Sequence, residues 1–298
     1  MYKYQFGVEP ICRVLRGHGI PIAPSTYYAC KSRPASARSL SDAELLPRLK
    51  KTFEDNYSCY GARKLWRELR NEGVQVGRDQ VARLMKTAGI RGARRSKRIV
   101  TTKPAPVQRD LPDLVKRRWD RGEPDRVWVA DLTYVPSNEG TVYTSFVQDG
   151  GTKRILGFTV ASSMSTSIVT KALEQAVATR RRGAVGFTPR GLIFHSDRGS
   201  QYVSLAMSTR LQDLGIAPSV GRTGTALDNA AMETTIGLYK TELIRTRRWA
   251  SRQEIETATS AWVTWFNERR LHSTLDYQSP NSYETRYHQQ QSLPRQAA

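Results

Sequence analysis

A chain of 298 residues with 47 Lys and Arg against 27 Asp and Glu carries a formal charge of +20, which favours a polyanionic partner over the role of an ordinary, weakly charged soluble enzyme. Hydrophobic residues make up 39%, with six Trp and thirteen Tyr, enough for one large core or two to three smaller ones. Cys12, Cys30 and Cys59 form no CxxC pair, no apolar run reaches about 18 residues, and "MYKYQFGVEP" lacks the plan of a secretory signal, so a zinc module, a disulfide framework and a membrane span are disfavoured and a cytoplasmic location is expected.

The first 40 residues read as a helical segment and linker. Val8, Ile11, Val14 and Leu15 have helical spacing, Ser25 or Thr26 is expected to cap a short helix, and "CKSRPASARS" at 30–39 reads as a polar linker. Residues 41–90 read as a small helical domain. Leu45, Leu46 and Leu49 mark one helix, with Ser41 and Glu44 as a candidate capping box. Leu65, Trp66 and Leu69 mark a second with basic residues on its other face, and Val81, Leu84 and Met85 a third. Two short helices joined by "NEGVQVG" suggest a helix-turn-helix, although the periodicity alone fits a plain packing unit equally well. Residues 91–121 form a basic connector in which Arg91, Arg94, Arg95, Lys97, Arg98 and Lys103 crowd together, a composition suited to phosphate contacts without sequence information.

From residue 122 the pattern changes. "RVWVADLTYVP" alternates as a strand, with Val127, Val129, Asp131 and Thr133 on one side and Trp128, Ala130, Leu132 and Tyr134 on the other. "TVYTSFVQD" and "RILGFTVA" follow after short turns, which predicts an antiparallel meander. A long helix with Ile168, Leu173 and Val177 inward comes next, then a fourth strand "GLIFHSD", a helix, a short fifth strand "IAPSV", and a helix through "LDNAAMETTIGLYKTEL". The order βββαβαβα is that of an RNase H-like α/β core, a mixed five-stranded sheet flanked by helices, expected over residues 122–285 behind the small helix-turn-helix-like domain. Ile255, Ala258, Trp262 and Trp265 give one more helical face, and residues 286–298 are expected to form a frayed polar tail.

Within this core three carboxylates sit in apolar settings. In "LIFHSDRGSQYVS" the run Leu192, Ile193, Phe194 leads to Asp197 just before a glycine. Asp131 lies in the first strand, and Glu233, with 35 residues between it and Asp197, lies on a helix. Any one of them could be a cap or an ion-pair partner. Three that converge would raise each other's pKa, and a divalent cation removes that penalty. Mg²⁺, with Mn²⁺ as a substitute, takes carboxylate oxygens and water, and two ions about 3.5–4 Å apart can clamp a phosphodiester. His195 shares the side of Asp197 by strand parity and is a candidate for site support, as is Asn229 beside Asp228 ahead of Glu233.

The motifs "YGARKLWRELRNEG", "RVWVADLTYVP", "FHSDRGSQYVS", "GRTGTALDNAAMETTIGLYKTEL" and "WFNERRLHSTLDYQSP", spanning about Tyr57 to Tyr283, resemble the second-reading-frame product of bacterial two-frame insertion-sequence transposases, whose core is related to retroviral integrase. The resemblance implies divalent-metal-dependent DNA cleavage and strand transfer with Asp131, Asp197 and Glu233 as catalytic, metal-holding carboxylates. It implies that Lys240, seven residues beyond Glu233, touches DNA. It further implies double-stranded DNA as partner, self-association on it, and cooperation or fusion with an upstream-frame protein. The chain departs from the usual pattern at Thr152-Lys153, at Thr235-Ile236, and at Gly221 and Thr223, without loss of a carboxylate. The alternative from another class is a catalytically decayed DNA-binding or regulatory remnant of such an element. A third, a stand-alone nuclease of the same fold, has no need of the basic helical unit.

Overall fold

Valines at 127, 129 and 135 interleave with Trp128, Leu132 and Tyr134, a β-branched and aromatic mixture suited to a pleated surface, and they form strand β1 (Val127–Ser137). The computed structural model describes residues 2–94, 111–116, 122–183, 187–197, 199–221 and 230–292. Strands β2 (Gly140–Asp149), β3 (Ile155–Ala161), β4 (Ile193–Ser196) and β5 (Ala217–Val220) complete a sheet in the order β3-β2-β1-β4-β5. The β1–β2 and β2–β3 pairs are antiparallel, as their short connections permit, whereas β4 lies parallel to both β1 and β5. The mixed five-stranded sheet and the strand–helix order expected from the sequence are both observed.

Each face of the sheet is covered, and this is why its strands read as apolar on both sides. Helix α7 (Thr166–Gly183) and helix α8 (Leu205–Leu214) cover one face, where Trp128, Leu156, Ile168, Leu173, Phe194 and Leu211 are buried in one cluster. The backbone of α7 approaches β3 so closely that a Cβ on Gly157 would lie 2.1 Å from the Ala172 carbonyl oxygen, so only glycine fits there. Helix α9 (Ala230–Glu242) and helix α10 (Arg252–Glu268) cover the other face. There the Phe146 ring stands edge-on to Tyr239 at 5.0 Å and to Trp262 at 6.3 Å, and Trp262 meets Phe266 at 4.9 Å. Such pairs add about 0.5–1.5 kcal/mol each beyond the area they bury.

A buried ion network closes one end of the sheet. The Arg180 guanidinium donates to Asp125 at 2.8 Å, to Asp149 at 3.2 Å and to both oxygens of Glu284 at 2.7 Å. Glu284 belongs to helix α11 (Pro280–Ser292) and also accepts from Arg154 at 2.7 Å and from the Thr152 hydroxyl at 2.6 Å. Thr152, one of the positions that depart from the family pattern, is thus a structural partner.

The N-terminal part is helical: α1 (Tyr2–Phe6), α2 (Val8–Gly17), α3 (Pro24–Ser32), α4 (Ala37–Asp55), α5 (Ala62–Asn71) and α6 (Arg78–Thr87). The chain divides into two compact units, Met1–Lys51 and Thr52–Ala298, so the boundary falls inside α4 and the α5–α6 pair belongs to the second unit. Leu65, Leu69, Val81, Leu84 and Met85 are buried, as the periodicity predicts.

Three local expectations are corrected. The linker at 30–39 shrinks to residues 33–36, because Ser36 Oγ accepts from the Ser39 backbone N–H and starts α4 earlier than Ser41. Ser25 and Thr26 are not caps: Pro24 occupies the first turn of α3, where its missing N–H costs nothing, and Ala23 is the N-cap. Of the polar tail, residues 286–292 continue helix α11, whose Glu284 is held by Arg180, and residues 293–298 lie outside the described residues.

Candidate active site

β1 is the middle strand of the sheet and β4 its parallel neighbour. The register pairs Val127 with Ile193 and Val129 with His195, and the same 66-residue offset carries Asp131 to Asp197. Asp131 is the fifth residue of β1 and Asp197 follows the last residue of β4, so the two come near each other where β4 ends against the middle of β1, close enough for the charge of Asp197 to act on Asp131. Neighbouring strands are about 4.8 Å apart, so their charges cannot ignore each other. Asp131 is held well above the usual carboxylate range, first by burial, then by Asp197, with Glu233 adding to the effect, while the Leu132 N–H and Lys240 oppose it. Asp131 Oδ1 accepts from Leu132 N at 2.7 Å. Asp197 is also raised, by burial, against a 2.9 Å hydrogen bond from the Gly199 N–H.

Glu233 lies in the first turn of α9, and that helix is fixed by three buried anchors. Thr235 donates to Gln148 of β2 at 2.8 Å, Tyr239 shares a 2.7 Å hydrogen bond with Thr259 of α10, and Glu242 receives the Arg270 guanidinium at 3.0 Å. Thr235, another departure from the family pattern, therefore seats the glutamate helix on the sheet. Glu233 is half-buried and acts on Asp131 electrostatically. Among the described residues no three His, Cys, Asp or Glu side chains stand close enough to hold a single ion. The structure thus pairs the aspartates and keeps Glu233 within the field of Asp131. The donors are carboxylate oxygens that repel one another, a set that fits a hard divalent cation.

The other sequence-derived candidates divide. Lys240 is half-buried on α9 with its Nζ 4.5 Å from the centre of the Tyr134 ring; its pKa is lowered by burial, while the charge of Asp131 pulls the other way. His195 is buried, and its Nδ1 lies 2.9 Å from Ser219 Oγ on β5, which also accepts from the Leu114 N–H at 2.9 Å. Its ring therefore ties β4 to β5 and to the chain entering the core. Arg94 is exposed, whereas Arg95, Lys97, Arg98, Asp228 and Asn229 lie outside the described residues. Sequence reasoning missed Tyr202. Its hydroxyl is buried near that of Ser145, and its pKa is raised well above normal by burial and then by Asp131, with Asp197 adding to the effect and Ser145 opposing it. The only signal was its position in "RGSQY", five residues past Asp197.

Comparison with known proteins agrees with this architecture. The integrase core domain family matches residues 121–226, a second family of the same description matches 214–280, and an HTH-like domain family matches 40–98. Fold and family matches together define a polynucleotidyl transferase of the integrase type. The chain is 46% identical over 276 residues to the insertion sequence element IS986/IS6110 protein of Mycobacterium tuberculosis, covering 92% of this chain and 99% of that one. It is 42% identical over 294 residues to the transposase for insertion sequence element IS629 of Shigella sonnei, covering 96% and 94%. Among solved structures, the simian T-cell lymphotropic virus intasome in complex with PP2A regulatory subunit B56 gamma aligns with a TM-score of 0.44 at 13% identity, over 80% of this chain and 73% of that one. The chain belongs to the insertion-sequence transposases, in the group made from the second reading frame with a retroviral-integrase-like core.

Proposed function

We propose that this DNA transposase works as a DDE-type enzyme in which Asp131, Asp197 and Glu233 hold Mg²⁺, or Mn²⁺ in its place, and carry out cleavage of element ends and their transfer to target DNA. The observation that supports the reading is that the charges of Asp197 and Glu233 both act on the carboxyl of Asp131, which is held well above its usual range. When bound, the metal supplies activation of the attacking hydroxyl and neutralises charge on the phosphodiester. Asp131 and Asp197 would provide the rigid part of the cradle, since each accepts from a nearby backbone N–H, that of Leu132 within β1 and that of Gly199 beyond β4. Glu233 would provide the third carboxylate, from the first turn of α9. Lys240, two helical turns along, is suited to hold the phosphate next to the reacting one as a point charge without reading bases.

Residues 41–90 and the connector at 91–121, with Arg94, Arg95, Lys97 and Arg98, are the further DNA contacts in this reading. The net charge of +20 supports a polyanionic partner of that kind. Double-stranded DNA at element ends and target is the substrate, with self-association on it and cooperation with the upstream-frame protein. The setting is the bacterial cytoplasm and nucleoid, and no helix among the described residues is long and apolar enough to cross a membrane.

The test replaces each carboxylate. Asp131→Asn, Asp197→Asn and Glu233→Gln should each abolish Mg²⁺-dependent cleavage and joining while the circular dichroism spectrum is unchanged. A variant with near-normal activity removes its residue from the triad.

A further inference from the structure

The turn after the second 3₁₀ segment (Ser273–Leu275) holds Asp276 and Tyr277 at φ 53° and 60°, two consecutive non-glycine residues in the left-handed region. That conformation is unfavourable for residues with a Cβ, and for a bulky tyrosine most of all, so the surrounding structure must impose it. The Tyr277 N–H donates to the His272 carbonyl at 2.8 Å, and His272 in turn bridges Gln278, which locks the turn. Its product is the placement of the Tyr277 ring over α5. The Arg67 guanidinium lies between two rings, 5.1 Å from Tyr277 and 5.0 Å from Trp66, and Arg63 donates to the Tyr277 hydroxyl at 3.4 Å. The indole of Trp66 is itself fixed by a 2.9 Å hydrogen bond to the Val76 carbonyl.

Around this stack lie two adjoining cavities that share Arg63 and Tyr277, one of about 370 Å³ reaching Trp66, Arg67 and Arg78, the other of about 570 Å³ reaching Lys64 and Arg270. Their lining acids are engaged, Asp79 with Arg78 at 2.9 Å and Glu242 with Arg270 at 3.0 Å. Arg63 and Arg67 are exposed at the cleft and carry no ion pair to Asp79 or Glu242, while Lys64 is half-buried with its Nζ 5.3 Å from the Tyr60 ring and within the field of Glu242. Guanidinium groups held flat by rings keep their outward N–H donors pre-aimed, the arrangement that suits phosphate oxygens.

We propose that this cleft, walled by Arg63, Lys64 and Arg67 of α5, Arg78 of α6 and Tyr277 of the core, grips the sugar–phosphate backbone of one strand of duplex DNA. The inference rests on the reading of this chain as a DNA transposase, and gives the helical pair a defined contact walled in part by the core. Because its two walls come from the helical pair and from the catalytic core, a strand seated here is in register with both. The contact reads no bases, so it fixes position and leaves sequence choice to other surfaces.

The experiment measures binding of a labelled duplex of arbitrary sequence by fluorescence anisotropy across a salt series. Arg63→Gln with Arg67→Gln should lower the slope of log K against log salt by about 1.8, from about 0.9 per lost phosphate contact, and should do so equally on unrelated duplexes. Arg63→Gln alone, at an exposed position, guards against misfolding of the double variant and should lower the slope by about 0.9. Wild-type slope and affinity in both variants would overturn the cleft while leaving the transposase reading intact. Loss confined to one DNA sequence would also overturn it, because a backbone grip cannot discriminate. Absence of salt-dependent binding by the unaltered protein would overturn both readings.

Discussion

Replacing Glu284 by Gln tests the energetics of the buried network that closes the sheet. Two guanidinium groups and one hydroxyl donate to this carboxylate, at 2.7 Å from Arg154, 2.7 Å from Arg180 and 2.6 Å from Thr152. Hydrogen bonding and charge from Arg180 lower its pKa from 4.5 to about 2, even though burial works in the opposite direction. A carboxyl depressed by that much contributes about 3.4 kcal/mol above pH 4.5, about 1.4 kcal/mol at pH 3, and little at pH 2. The sign follows from the depressed folded value: the contribution is complete above the unfolded pKa and is lost as pH falls through the folded one. The effect belongs to Glu284 and not to every acid of the network, since burial pushes Asp149 up to about 6 despite Arg180. Glu284→Gln should therefore cost about 3 kcal/mol at neutral pH, in line with the roughly 3–5 kcal/mol seen when one partner of a buried pair is removed. Urea unfolding followed by tryptophan fluorescence is the assay, and Trp128 is a local reporter because its Nε1 donates to Asp125 of the same network at 3.0 Å. A loss that stays constant from pH 3 to pH 7, or falls below about 1 kcal/mol at pH 7, refutes the reasoning.

Lys240→Ala should weaken DNA binding and joining about tenfold or more, from the roughly 1.5–3 kcal/mol of a charged hydrogen bond, with Mg²⁺ affinity close to normal; separate metal and DNA titrations decide, and lost metal affinity would make Lys240 a support of the carboxylates instead. Replacing Arg94, Arg95, Lys97 and Arg98 together by Gln should flatten the salt dependence of binding by up to about 0.9 per lost contact, and an unchanged slope returns the connector to a solvated linker. Gly157→Ala should destabilise by about 1–3 kcal/mol or more, because the new methyl meets the backbone of α7; an unchanged melting temperature would mean that α7 can slide away from β3.

Much of the fold was legible because its cause is local. Alternation in β1, the short turns to β2 and β3, and the 3.6-residue spacing of Ile168, Leu173 and Val177 each report burial within one element. The errors fell where the cause is distant. The stretch at 30–39 has loop composition, yet Ser36 caps a helix inside it. The Gln-rich end has no apolar period, and its helicity depends on Glu284 reaching Arg180 across 104 residues of sequence. The same distinction runs through the site. Asp131 and Asp197 each stand out against their own apolar run, but their adjacency is a property of strand register, which no single segment encodes. Tyr202 was overlooked because a tyrosine in a polar turn carries no sign that its hydroxyl is buried beside two carboxylates.

The seating of α9 has a genetic consequence. Gln148, Thr259 and Arg270 are the partners that fix the helix bearing Glu233, and they come from a strand, the opposite helix and the segment after it. A map of mutations that silence transposition would therefore extend along α10 to Arg270, where what is lost is the aim of a helix and not contact with DNA or metal. Second-site revertants of such lesions would be found across the α9–α10 interface, because restoring the seat restores the carboxylate without touching it.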